Sequence, residues 1–252
     1  MTVAKVLEAI RGPLLADGKI DFDETTLICR AIRPFVLNGD ADAVMLQGLL
    51  DRVREDGVID ADESAEIIGV MERLAAHKPT LADYVRAIPD FPKPGVLFRD
   101  VTGILDTAAG FALALDGFVE KLDGCEFDLV AAPESRGFIF GAALAARLGK
   151  AFAPIRKPGK LPRATVSQSY ALEYGEATIH MHTDAVIPGE RVVIIDDLLA
   201  TGGTAAAAAK LVERLGGKVV KMLFPIELAG FDARAGLLAG YEVDSLVRYE
   251  GK

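Results

Sequence analysis

Cysteine is nearly missing: 252 residues hold only Cys29 and Cys125, far apart and outside any CxxC pattern. That spacing fits two buried free thiols in a reducing cytoplasm better than a disulfide framework. Long apolar runs are scarce too. The longest nearly unbroken one, Phe138 to Ala146, includes a glycine and falls far short of the ~20 residues a membrane span needs. The N-terminal "MTVAKVLEAIRG" has no continuous apolar segment followed by a small-residue cleavage site, so a helix is expected there and not a signal peptide. Positive charge is also in short supply, with 28 Lys and Arg against 37 Asp and Glu and a formal net charge of -9. A net-negative surface repels polyanions, which argues against nucleic acid and anionic membrane as partners. Any anionic ligand must be met by cations gathered locally. What the chain does have is 51% apolar residues, enough to bury the core of a soluble globular protein with one large domain or two smaller ones.

Residues 1–79 read as an all-helical domain. Val3, Val6, Leu7 and Ile10, then Leu27, Ile28 and Ile32, then Val44, Leu46, Leu49, Leu50 and Val53 keep helical spacing. Residues 80–252 alternate strand-like and helix-like stretches: "FDLVAAP", "GFIFGAALAARLG", "AFAPI", "RVVIID", "GTAAAAAKLVERLG" and "KVVKMLFPIEL". Such alternation predicts an α/β domain with a mostly parallel sheet flanked by helices. Pro79 can end one helix and Thr80 can cap the next, which sets the boundary. Acidity is concentrated before it, with 15 acids against 9 bases in residues 1–80.

The helical domain contains a repeat. "DGKIDFDE" at Asp17 to Glu24 returns as "DGVIDADE" at Asp56 to Glu63. Gly18 and Glu24, like Gly57 and Glu63, keep the Gly-to-Glu spacing of a calcium-binding EF-hand loop. The other ligand positions fail, since Pro13, Leu15, Arg52 and Arg54 stand where oxygen ligands belong. The repeat therefore predicts a helix–turn–helix link in which Gly is left-handed, Ile packs inward and Asp caps the next helix.

In "VVIIDDLLATGGT", Val192 to Thr204, an apolar strand ends in Asp196 and Asp197 and is followed by a Thr-Gly-Gly-Thr turn that opens a helix. Ligands of an open α/β sheet bind outside the carboxyl ends of the strands. Gly202 and Gly203 let the backbone approach phosphate oxygens, Thr201 and Thr204 offer hydroxyls, and the helix N-terminus adds free amides. The turn lacks the lysine of a Walker loop and does not match G-x-G-x-x-G, so nucleoside triphosphates and dinucleotides are disfavoured. Two adjacent ionised carboxylates repel each other and gain nothing from burial, so a purely structural role is a poor reading. A phosphate followed by vicinal hydroxyls or a divalent metal satisfies turn and acids together, and ribose 5-phosphate has that shape. Four bases, Arg156, Lys157, Lys160 and Arg163, lie in a segment broken by Pro158, Gly159 and Pro162. That loop is either a solvated surface or a lid over a polyanion. His180 and His182 share one face of a probable strand, and without a third ligand nearby they are expected to be solvated strand histidines.

"VVIIDDLLATGGT" resembles the phosphoribosyl-pyrophosphate (PRPP) binding signature of type I phosphoribosyltransferases. "IPDFPKPGVLFRDVT", "APESRGFIFG", "PIRKPGKLP", "YALEYG", "IPGERV" and "IEL" are similar, in order and spacing, to adenine phosphoribosyltransferases. The resemblance covers essentially residues 80–252. It implies the type I phosphoribosyltransferase fold with a flexible lid loop and a small hood, preceded by a small all-α domain. It further implies transfer of the phosphoribosyl group of PRPP to N9 of adenine, with Mg2+ held mainly by substrate and water near Asp196 and Asp197, in a cytoplasmic homodimer. Catalytic roles fall on Glu173, as general acid/base, and on Arg136, with PRPP contacts from Ser135, Arg136, Arg156, Lys157, Lys160, Tyr174, Asp196, Asp197, Ala200, Thr201, Gly202, Gly203 and Thr204. Leu97, Phe98, Arg99 and Leu228 would hold adenine. The helical domain resembles tellurite-resistance B domains, which implies a protein-interaction or regulatory role. A transferase for another nucleobase and a non-catalytic PRPP-binding regulator are the alternatives.

Overall fold

The computed structural model describes residues 3–15, 17–37, 40–76, 79–171 and 175–251. The chain forms two compact units, Met1–Pro79 and Thr80–Lys252.

The first unit consists of α1 (Val3–Leu14), α2 (Phe22–Leu37), α3 (Ala41–Val53) and α4 (Ala61–Ala76). Apolar side chains at helical spacing meet in one core, among them Leu7, Ile28, Ile32, Leu46, Leu50, Ile67 and Met71. Each contributes about 1.5–3 kcal/mol by leaving water. Both repeats form the same turn. Gly18 and Gly57 have φ of +77° and +80°, the left-handed region that glycine enters without a Cβ clash. Asp21 accepts from the Glu24 amide at 2.8 Å while Glu24 accepts from the Asp21 amide at 2.9 Å. Asp60 and Glu63 repeat the exchange at 2.8 and 3.0 Å. These are reciprocal capping boxes, which satisfy amides that an α-helix leaves without partners. The buried Ile20 N–H donates to Ser64 Oγ at 2.7 Å, which ties the first turn to α4.

The second unit opens with an antiparallel hairpin, β1 (Arg86–Pro89) and β2 (Leu97–Asp100), followed by α5 (Ala108–Lys121). Next come β3 (Leu129–Pro133), α6 (Arg136–Leu148) and β4 (Ala151–Ile155). A second antiparallel hairpin, β5 (Thr165–Ala171) and β6 (Glu176–His182), precedes β7 (Arg191–Ile195), the short β8 (Leu198–Leu199), α7 (Gly203–Arg214), β9 (Lys218–Leu228) and β10 (Val243–Tyr249). The main sheet runs β10-β9-β7-β3-β4, every pair parallel, with β8 alongside β9. Alternation along its strands feeds two cores. Leu129, Ala131, Val192, Ile194, Met222 and Phe224 face the alanine-rich α7. Val130, Val193, Ile195 and Leu223 face Phe118 of α5 and Phe140 of α6. Burial on both faces explains why β3 is apolar throughout and not alternating.

Because all these strands are parallel, their carboxyl ends share one edge. Glu134, Arg156, Asp196, Leu228 and Tyr249 stand at or just beyond it.

Two expectations are corrected. Cys29 and Cys125 are half-buried rather than buried, because Cys29 lies at the edge of its core beside the polar Gln47 and Arg54. His182 is buried and His180 half-buried on β6, each with a ring nitrogen near an oxygen on or beside β5. His182 Nδ1 lies 3.4 Å from the Ala164 carbonyl, and His180 Nδ1 lies 3.3 Å from Thr165 Oγ1.

Candidate functional site

A cleft of about 730 Å³ opens at the carboxyl edge of the sheet, lined by Glu134, Ser135, Arg136, Lys157, Tyr170, Asp196, Asp197 and Thr204, among others. The loop after β7 supplies its floor. Gly202 is left-handed (φ +81°) and caps α7, which opens with Gly203 and Thr204. Ala200 and Thr201 lead from β8 into that cap. A helix N-terminus of this kind offers unpaired N–H groups and a favourable dipole to an anion.

Asp196 and Asp197 project from the end of β7. Asp196 Oδ1 accepts from the Asp197 amide at 2.9 Å. Burial first, and then the neighbouring Asp197 charge, push its carboxyl well above the usual range. Asp197 is buried, and its Oδ2 sits 2.7 Å from Arg136 Nε. That oxygen nevertheless accepts no hydrogen bond, because the Nε–H is not aimed at it. The contact is a charge pair without directional satisfaction, and it leaves a buried acceptor ready for a hydroxyl or a cation.

Arg136 begins α6, directly after Ser135. Space for Asp196 depends on the next residue, since a Cβ on Gly137 would fall 2.8 Å from Asp196 Oδ1. Glu134 accepts from Arg156 Nε at 2.9 Å and from the Lys157 amide at 3.1 Å. Burial opposes its charge, yet these two donors outweigh that effect and hold the carboxyl below its usual range. Arg156 also donates to the Lys160 carbonyl at 3.2 Å. Glu134 thus organises the start of the basic loop, a role that the sequence pattern does not announce. Lys157 lines the cleft; Lys160 is exposed, and Arg163 pairs with Asp184 on the surface.

The residues expected to hold adenine gather apart from the cleft lining. Leu97, Phe98 and Arg99 lie on β2, with Leu97 exposed and Phe98 half-buried, its ring 5.1 Å from that of Phe91. Arg99 stacks over Tyr249 at 4.0 Å, and Tyr249 pairs in register with Leu228. The β2 hairpin and Leu228 therefore meet through Tyr249 at the same sheet edge. Glu173 and Tyr174 lie outside the described residues. Tyr170, which the motif reading passed over, reaches the phosphate turn: Thr204 Oγ1 donates to its hydroxyl at 3.1 Å. Glu227 is buried and gripped by Arg234 at 2.8 and 2.6 Å and by Ser245 at 2.6 Å, which fixes the ends of β9 and β10.

Residues 104–239 match the phosphoribosyl transferase domain family. The chain is 58% identical over 173 residues to an adenine phosphoribosyltransferase of Agathobacter rectalis, covering 69% of this chain and 99% of that one. Identity to the Lachnoclostridium phytofermentans counterpart is 54% over 172 residues, 68% and 98% of the two chains. Among solved structures, adenine phosphoribosyltransferase of Thermoanaerobacter pseudethanolicus is 53% identical with a TM-score of 0.64, covering 66% of this chain and 96% of that one. The Saccharomyces cerevisiae adenine phosphoribosyltransferase, complexed with an imino-altritol bisphosphate and adenine, is 36% identical with a TM-score of 0.62, covering 65% and 94%. Sheet topology, the cleft at its carboxyl edge and these similarities lead to one conclusion: the chain belongs to the phosphoribosyltransferase family, among its adenine phosphoribosyltransferases.

Proposed function

We propose that the protein transfers the 5-phosphoribosyl group of PRPP to N9 of adenine, giving AMP and pyrophosphate in purine salvage. The observation that carries this reading is the juxtaposition, in one cleft, of an acidic pair, an α7 N-terminus and Arg136. The Thr201–Thr204 turn takes the 5-phosphate, with Ala200, Gly202 and Gly203 giving backbone access. Asp196 and Asp197 accept from the ribose 2- and 3-hydroxyls. In doing so they also favour positive charge on the sugar, since glycosyl transfer passes through an oxocarbenium-like state. Arg136, assisted by Ser135, turns from Asp197 to the departing pyrophosphate, while Arg156, Lys157 and Lys160 cover it as a lid.

Adenine lies between Phe98 and Leu228, its edge read by the backbone of Leu97 and Arg99. Glu173 takes the proton from the purine as the N9–C1 bond forms and the bond from C1 to pyrophosphate breaks. Tyr174 closes the site. The unsatisfied buried Oδ2 of Asp197 and the suppressed ionisation of Asp196 fit a nearby cation. Mg2+ would be held mainly by substrate and water, with Asp196 and Asp197 nearby, and would supply positive charge against the departing pyrophosphate. We further assign the protein to the cytoplasm as a homodimer, with residues 1–79 as an interaction module.

Pyrophosphate release measured with adenine, hypoxanthine, guanine and orotate tests the assignment. Turnover with adenine well above the others supports it. Preference for another base moves the chain to a different specificity, and no turnover with any base makes it a PRPP-binding regulator.

A further inference from the structure

Tyr170 has no part in the roles above, yet two contacts place it on the phosphate turn. Thr204 Oγ1 donates to its hydroxyl at 3.1 Å. Its ring covers the start of α7 so closely that a Cβ on Gly203 would meet Tyr170 Cδ2 at 3.3 Å and the Ala171 carbonyl at 3.4 Å. At the far end of the helix, Arg214 Nη1 donates to the Ser167 carbonyl at 2.8 Å. β5 is therefore fastened along α7 at both ends. Tyr170 and Thr204 both line the cleft.

A threonine hydroxyl has one proton to give and lone pairs with which to accept. Without ligand, that proton goes to Tyr170. A phosphate at the turn needs donors, so Thr204 must redirect its proton to a phosphate oxygen and accept from the Tyr170 hydroxyl instead. The bond survives with its direction reversed, and the two hydroxyls become a polarised chain ending on the phosphate. Resting on the reading of Thr201–Thr204 as the 5-phosphate site, we propose that Tyr170 is a positioning residue: through Thr204 it sets the donor geometry of the phosphate turn and ties phosphate occupancy to the β5–β6 hairpin.

The test is a double-mutant cycle on the full chain, read by calorimetric binding of ribose 5-phosphate and by steady-state kinetics. Tyr170→Phe keeps the ring over Gly203 and removes the hydroxyl. It is expected to weaken ribose 5-phosphate and raise KM for PRPP by roughly tenfold, as for loss of one hydrogen bond in a charge-assisted chain, with KM for adenine unchanged. In a Thr204→Val background the same change is expected to have no further effect. Full additivity of the two substitutions, or unaltered ribose 5-phosphate binding in Tyr170→Phe, overturns the proposal. Amide hydrogen exchange of Ser167–Ala171 in the unaltered protein, with and without ribose 5-phosphate, needs no variant to fold. Slowed exchange supports the tie and unchanged exchange contradicts it. Lack of adenine turnover by the unaltered protein sinks the enzyme assignment alone, since ribose 5-phosphate binding is measured without it.

Discussion

Asp196 carries the least comfortable charge in the cleft. Its carboxyl is pushed up by burial and by Asp197, so between its ordinary and raised values the folded chain holds a proton that the unfolded chain has lost. Stability of the ligand-free protein should therefore fall as pH rises through that window. Hydroxyls that donate to the carboxylate favour its charged form. PRPP binding is thus expected to release protons, read as a dependence of calorimetric heat on the ionisation enthalpy of the buffer. Asp196→Asn should abolish the release, raise the melting temperature of the ligand-free protein at pH 8, and weaken PRPP far more than adenine. Arg136 answers a different question. Its guanidinium rests against Asp197 in the free protein, and Arg136→Ala should raise the barrier by about 2–4 kcal/mol, seen mainly in kcat. Arg136→Lys should recover little, because a lysine ammonium cannot reproduce a planar, two-pronged contact with phosphate oxygens.

The connections between elements show what was legible in the sequence and what was not. β3, α6, β4, β7, α7 and β9 declare themselves by apolar period and turn chemistry, signals local to each segment. The acidic pair and the glycine-rich turn are likewise local, within Val192 to Thr204. β10, the pairing of β5 with β6 and the grip of Glu134 on Arg156, 22 residues away, are non-local contacts with no period to reveal them. Gly137 illustrates the difference. In sequence it is one glycine in "ESRG", while in the fold a Cβ there would fall only 2.8 Å from Asp196 Oδ1. Gly137→Ala is expected to displace that carboxylate and raise KM for PRPP with little effect on adenine; equal losses for both substrates would refute this account of the residue. In the helical unit, Ser64→Ala would leave the buried Ile20 N–H without its acceptor. A loss of about 1–3 kcal/mol in denaturant unfolding is expected.

At the level of the whole molecule, the described cleft residues and both sheet cores belong to Thr80–Lys252. The Agathobacter rectalis relative, 99% covered, matches 173 residues of this chain, the length of that unit. A fragment of residues 80–252 is accordingly expected to fold and to turn over adenine, as monitored by circular dichroism and pyrophosphate release. Each unit has its own hydrophobic core, and separate melting of the two in the full chain is the calorimetric counterpart of that expectation. In the proposed function one ribose phosphate spans the turn and the acids, so an anion-binding turn and an anionic pair serve opposite ends of a single ligand. A crystal structure with AMP bound tests it most directly. The account predicts the phosphate on the amides of residues 201–204 and the ribose hydroxyls on Asp196 and Asp197; a phosphate seated on Arg136 and Lys157, with the turn left empty, would contradict it.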